Sequence, residues 1–188
     1  MLTRKQLRRA CCGVSLIELM VIVAVIGVIA ALGVPSYNTW IQNTRIRAVA
    51  ESIQSGLQLA RAEAVRRNAL VQFVLEDSAE WTVGCVMIVD DLDGDGVDDC
   101  PAEIQKKQSG EAGSVANITI AIEPEANNAV VFNGMGIISG GGFDYVEVDI
   151  DESVMSADDS RELRVLLETG GSNKLCDPNA SDTDPRAC

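Results

Sequence analysis

The sequence predicts an α+β protein, one long N-terminal helix packed on an antiparallel β-sheet domain. Three observations lead there. Residues 14 to 34 carry no charge except Glu18 and are otherwise almost wholly apolar. Between residues 46 and 64, apolar side chains recur at steps of three and four, the period of a one-sided helix. From Leu70 onward, short β-branched runs alternate with breaks rich in Gly and Asp, as strands and turns do. A helix first and strands afterwards is the order of an α+β domain.

The helix has two halves with different surroundings. Residues 14 to 34 would span roughly 31 Å at 1.5 Å per residue, about one hydrocarbon thickness. Pro35 follows Gly33 and should bend the helix, because proline removes a helical hydrogen bond and clashes with the preceding turn. Beyond it, Ile46, Val49, Ile53, Leu57, Ala60 and Ala64 make one stripe, with Arg45, Arg47, Arg61, Arg66 and Arg67 on the other faces. Asn68 suits a terminus. From Val14 to Asn68 the helix would be about 80 Å long. Its first half belongs in lipid or in a bundle, and its second half lies on a globular domain.

Strands are expected at Leu70–Leu75 and Trp81–Val89, an adjacent pair, and at Ile104–Lys107, Val115–Ile122, Ala129–Phe132, Phe143–Ile150 and Glu162–Leu167. Gly134, Gly136 and Gly140 to Gly142 read as turns or flexible loops.

Charge is unevenly placed. The chain has net charge −13, and from Val71 onward six basic residues face 25 acidic ones, a net of −19. Such a domain repels polyanions, which argues against broad nucleic-acid binding. Cys11 and Cys12 precede the apolar run. Cys85, Cys100, Cys176 and Cys188 remain, an even number that suits two disulfides in an exported domain. Of three connectivities, Cys85–Cys100 with Cys176–Cys188 is favoured, since each closes a short local loop. Zinc is the competing use, but there is no CxxC pair and no histidine.

Asp91-Leu-Asp93-Gly-Asp95-Gly96-Val-Asp98-Asp99 matches the first half of a calcium loop, with oxygen ligands at positions 1, 3 and 5 and glycine at 6. Asp99 would be position 9. Position 12 is Ala102 where a bidentate Glu should stand, and Glu103 is one residue late. An acidic β-turn is the favoured alternative, because Asp-Gly pairs form turns readily. Calcium is the only cofactor the pattern suggests. No catalytic constellation is present: histidine is absent and the serines lack a visible base. The chain reads as a non-enzyme.

The most informative segment is Gly13-Val-Ser-Leu-Ile-Glu18, behind the basic stretch Arg4-Lys5-Gln-Leu-Arg8-Arg9. A carboxylate at the head of a membrane-length apolar helix is unfavourable in lipid and demands a partner. A secretory signal would place its cut after an apolar stretch of about 7–15 residues, whereas here the candidate site precedes the stretch. A lipoprotein would use Cys11 or Cys12, yet only Leu7-Arg-Arg-Ala10 stands before them. A plain signal anchor satisfies the positive-inside rule but leaves Gly13 and Glu18 without a role.

This segment resembles the class III signal of type IV prepilins and type II secretion pseudopilins. The helix residues Leu57 to Asn68, the run Val89 to Asp98 and the tail Leu175 to Cys188 are similar to the GspH/FimT-type minor pilins. The resemblance implies a pilin fold, cleavage between Gly13 and Val14 by a prepilin peptidase, and N-methylation of Val14. Val14 departs from the phenylalanine usual there, which puts methylation in question more than the cut. The implied layout is a leader at 1–13, a transmembrane and filament-core helix at 14–35, its amphipathic continuation at 36–69, and a periplasmic β-rich domain at 70–188.

In that family, Glu18 would pair with the N-terminal amine of a neighbouring subunit and set its height. The implied partners are other pilins or pseudopilins, the peptidase and methylase, and an inner-membrane assembly platform. The protein would sit in the inner membrane as a single-pass subunit, then at the tip or initiation complex of a type IV pilus or secretion pseudopilus. Some FimT-type proteins bind incoming DNA through a Gly-Arg-x-Arg stretch near the C-terminus. Gly171-Ser-Asn-Lys174 stands at that place without the arginines, which leaves Lys174 and Arg186 as the candidate contacts. One or two phosphate contacts in so acidic a field bind weakly, so DNA uptake is the lesser alternative. A membrane-anchored binding protein that never polymerises is another.

Overall fold

The computed structural model describes residues 15–76, 79–90, 99–108 and 117–188, without the side chains of 32–35. It falls into two compact units, Met1–Asn38 and Thr39–Cys188.

Helix α1 runs from Leu16 to Arg67, 52 residues. Its end has a chemical cause. Asn68 takes the left-handed conformation (φ 50°), its N–H donates to Val65 O at 3.3 Å, and Ala69 N–H donates to Ala64 O at 3.2 Å. These two bonds make a Schellman motif, which satisfies carbonyls left open by the last turn. Hydrogen bonding is helical through 32–35; the bend expected at Pro35 falls on side chains outside those described.

Among the described residues of the first unit the helix buries no stripe. Eleven large hydrophobic side chains from Leu16 to Ile29 are 49–78% exposed. Among the described residues, no single helix is long and apolar enough to cross a membrane; Leu16–Ala31 and Ser36–Arg67 meet that measure only as a pair.

In the second unit the helix is one-sided. Ile46, Val49, Ala50, Ile53, Leu57, Ala60 and Ala64 are at most 2% exposed. Nine strands follow among the described residues: β1 Val71–Leu75, β2 Trp81–Cys85, β3 Gln105–Lys107, β4 Ile118–Glu123, β5 Ala129–Phe132, β6 Ile138–Gly141, β7 Tyr145–Ile150, β8 Leu163–Leu167 and β9 Asn173–Cys176. They form two antiparallel sheets, of order β3-β2-β1-β5-β6 and β4-β7-β8-β9. Alternation aims each sheet at the helix. Val71, Phe73 and Leu75 point inward from β1, and Val146, Val148 and Ile150 from β7, all in one core with the helix stripe. Trp81 closes that core beside Phe73, ring centroids 5.9 Å apart, and its Nε1 donates to Ser52 Oγ on α1 at 3.1 Å.

Polar side chains on α1 hold the loops to the core. Asn43 Oδ1 accepts from Arg161 N at 2.8 Å while its Nδ2 donates to Asp159 O at 3.1 Å. Arg61 Nε donates to Gly136 O at 3.0 Å, and the Arg67 guanidinium donates to Asp99 O.

The α+β expectation therefore holds, with corrections in detail. The glycine stretch read as a loop supplies β6: Gly140 and Gly141 pair with Val131 and Val130 across a bulge. Gly141 has φ +62° and lies where a Cβ would meet Ala129 O at 2.5 Å, so a strand with no side chain there is what lets β5 approach. Asn173–Cys176, read only as part of the tail, is β9. The strand expected to Val89 stops at Cys85, where Cys85 N–H donates to Pro101 O at 2.9 Å and the chain turns away.

Candidate functional site

Three regions carry the residues singled out by the sequence. At the N-terminal end, Gly13 and Val14 lie outside the described residues. Leu19 N–H donates to Ser15 O at 3.1 Å, the first bond of α1, so Glu18 stands exposed in the first turn. A carboxylate is favourable there because the first N–H groups of a helix point at it. Around and beyond it the surface is apolar on every side. Such a cylinder needs lipid or other helices to cover it, and Glu18 is its lone carboxylate among the described residues.

The second region is the aspartate-rich loop. Asp91, Asp93 and Asp95 lie outside the described residues. Its neck is described: Val89 and Cys100 exchange hydrogen bonds at 3.0 Å each, and Cys85 is joined to Cys100. Asp99 is exposed at this neck, with its carbonyl taken by Arg67. Among the described residues no group of three or more His, Cys, Asp or Glu is arranged to hold a metal ion.

The third region is the tail, closed by the Cys176–Cys188 cystine. Lys174 and Arg186 come to the same corner, but both are engaged. Lys174 Nζ donates to Ala187 O at 2.8 Å. Arg186 pairs with Asp184 (Nη2–Oδ2 2.6 Å, Nε–Oδ1 3.0 Å). Arg186 also lines a cleft of about 150 Å³ with Arg47 and Arg161, and Arg47 is itself paired with Glu51 at 2.8 Å. Two of these three arginine charges are therefore locally offset.

The hydrogen bonds from Arg186 hold the Asp184 carboxyl at about 2, below the ordinary 3.8. The sign follows from linkage: a carboxylate with a lowered folded value stabilises the fold above its unfolded value, and that contribution is lost as pH falls through about 2. Carbon-detected NMR of the Asp184 carboxyl should show a midpoint near 2, returning toward 3.8 in Arg186→Ala. An unchanged midpoint in the variant would remove Arg186 as the cause.

Sequence reasoning missed a fourth cluster on the outer face of the second sheet. Arg164 Nη2 lies 2.6 Å from Glu147 and 3.4 Å from Glu162, and its guanidinium is 4.8 Å from the Tyr145 ring centroid. Burial, and then the neighbouring charge of Glu147, push the Glu162 carboxyl above its ordinary value. Strand alternation in Tyr145-Val-Glu-Val-Asp149 puts Tyr145, Glu147 and Asp149 on one face, and was the available signal. The partner Arg164 arrives through the β7–β8 pairing of Glu147 with Arg164.

A family model described as type II transport protein GspH matches residues 49–171, well over half of the chain. The chain belongs to the GspH family. A second model, the prokaryotic N-terminal methylation motif, matches residues 8–34 of this GspH-family chain and takes in Gly13, Val14 and Glu18.

Curated relatives include type IV major fimbrial proteins FimA of Dichelobacter nodosus. One is 41% identical over 51 residues, 27% of this chain and 31% of the relative. A second is 40% identical over 57 residues, 30% and 35% of the two chains. The chain thus spans about a third of the length of the curated relatives it matches. Among solved structures, the type IV minor pilin FimU of Pseudomonas aeruginosa aligns in two crystal forms at 18% identity. One alignment has TM-score 0.47 and covers 76% of this chain and 94% of FimU; the other has TM-score 0.45 and covers 76% and 98%.

Proposed function

We propose that this GspH-family chain is a minor pilin or pseudopilin subunit, cut between Gly13 and Val14, methylated at Val14, and built into the tip or initiation complex of a thin filament. The observation that carries this reading is the conjunction at α1's start. A methylation motif ends in an apolar helix segment whose large side chains are 49–78% exposed. Lipid covers such a surface first, with the β-rich domain in the periplasm, and the apolar helices of neighbouring pilins cover it later. Inside a bundle the Glu18 carboxylate is then balanced by the N-terminal ammonium of an adjacent subunit, an attraction that mainly offsets the desolvation of both charges. Its consequence is registry, because a subunit at the wrong height leaves both charges unpaired.

Whether the filament is a type IV pilus or a secretion pseudopilus turns on its partners. DNA uptake is the lesser reading, since Lys174 and Arg186 are held within the tail and Arg186 is offset by Asp184. Calcium at Asp91, Asp93, Asp95 and Asp99 is a separate proposal resting on ligand spacing alone. Intact-mass analysis of membranes containing an active prepilin peptidase tests the main reading. The expected mature N-terminus is Val14 carrying one methyl group; an N-terminus elsewhere overturns it.

A further inference from the structure

The chain has two tryptophans, and they occupy opposite environments. Trp81 is 3% exposed in the core, its indole nitrogen bonded to Ser52. Trp40 is 63% exposed, on the outer face of α1, in line with Thr44, Arg47 and Glu51, which are also exposed. The core-facing residues Ile46, Val49, Ala50 and Ile53 lie on the other side. Trp40 is the last large exposed apolar residue on α1 before Val65.

Its place along the chain suits one surrounding. Trp40 stands six residues beyond Val34, where the apolar run of residues 14 to 34 ends, and a run of that length matches one hydrocarbon core of about 30 Å. Tryptophan collects at that depth because its ring is apolar and its indole N–H is a donor. Past it the outer face turns polar: Thr44, Arg47 and Glu51 are exposed, and Arg47 is paired with Glu51 at 2.8 Å.

We propose that Trp40 seats the subunit at the lipid headgroup level before assembly. This rests on the reading that the apolar segment is membrane-embedded. Full-length protein is reconstituted in phosphatidylcholine/phosphatidylglycerol vesicles whose acyl chains are brominated near the headgroup or near the bilayer centre. Trp40→Phe isolates the Trp81 emission and reports that the fold is intact.

Shallow bromines should remove most of the Trp40 emission and deep bromines little of it. The Trp81 emission left in Trp40→Phe should respond to neither. Protein that floats with the vesicles yet shows an unquenched Trp40, or one quenched best from the bilayer centre, overturns the proposal alone. Protein that does not float with vesicles overturns both it and the membrane reading.

Discussion

Gly84→Ala is expected to unfold the domain. Gly84 lies in β2, and a Cβ there would stand 1.8 Å from Ala102 O and 2.7 Å from its carbonyl carbon. The obstacle is backbone, and the backbone is held. Cys85 N–H donates to Pro101 O at 2.9 Å and Ile104 N–H to Val83 O at 2.8 Å, while the Cys85–Cys100 cystine ties the same segment from its other end. Neither β2 nor the segment holding Ala102 can retreat without breaking these bonds. The cost falls in the rare class above about 4 kcal/mol, a large part of the roughly 5–15 kcal/mol that holds a domain together. Gly140→Ala is the control, because a Cβ there meets only Val131 Cβ at 4.0 Å. Its melting should shift by no more than about 1 kcal/mol in stability. Equal denaturation midpoints for the two variants would show that the close approach at Gly84 is not what excludes a side chain.

Glu18→Ala is expected to abolish incorporation into filaments while leaving the subunit in the membrane. Removing one partner of a buried ion pair leaves the other charge uncompensated, at about 3–5 kcal/mol. That is a drop of more than about a hundredfold in the partition from lipid into filament. Glu18→Gln should fail in the same way, since it keeps the shape and loses the charge. The measurement is the ratio of subunit in sheared filaments to subunit in membranes. A ratio equal to that of the unaltered chain in both variants would dismiss the registry role.

Much of the architecture was legible because it depends on periodicity. Ile46, Val49, Ile53, Leu57, Ala60 and Ala64 are buried because a 3.6-residue repeat can present only one face to a core. Val71–Phe73–Leu75 and Val146–Val148–Ile150 are buried for the corresponding two-residue reason. Asn68 ends the helix because its short side chain tolerates the left-handed turn. The illegible elements lack such a signal. β6 contains Gly140 and Gly141, which look like a loop until β5 lies beside them. β9 is Asn-Lys-Leu-Cys, without a β-branched or aromatic residue to mark it as a strand.

Chain-local chemistry decided the helix-then-strand order, the two surroundings of α1, and the methylation motif at its head, since each is written in neighbouring residues. Tertiary packing decided the rest. It divided the nine strands of the described residues between two sheets, set Arg164 between Glu147 and Glu162, and brought Lys174 and Arg186 into one corner only to occupy them with Ala187 O and Asp184. Whether a cation is available to a partner depends on which acceptors the folded chain places beside it, and those acceptors come from residues whose proximity no local pattern encodes.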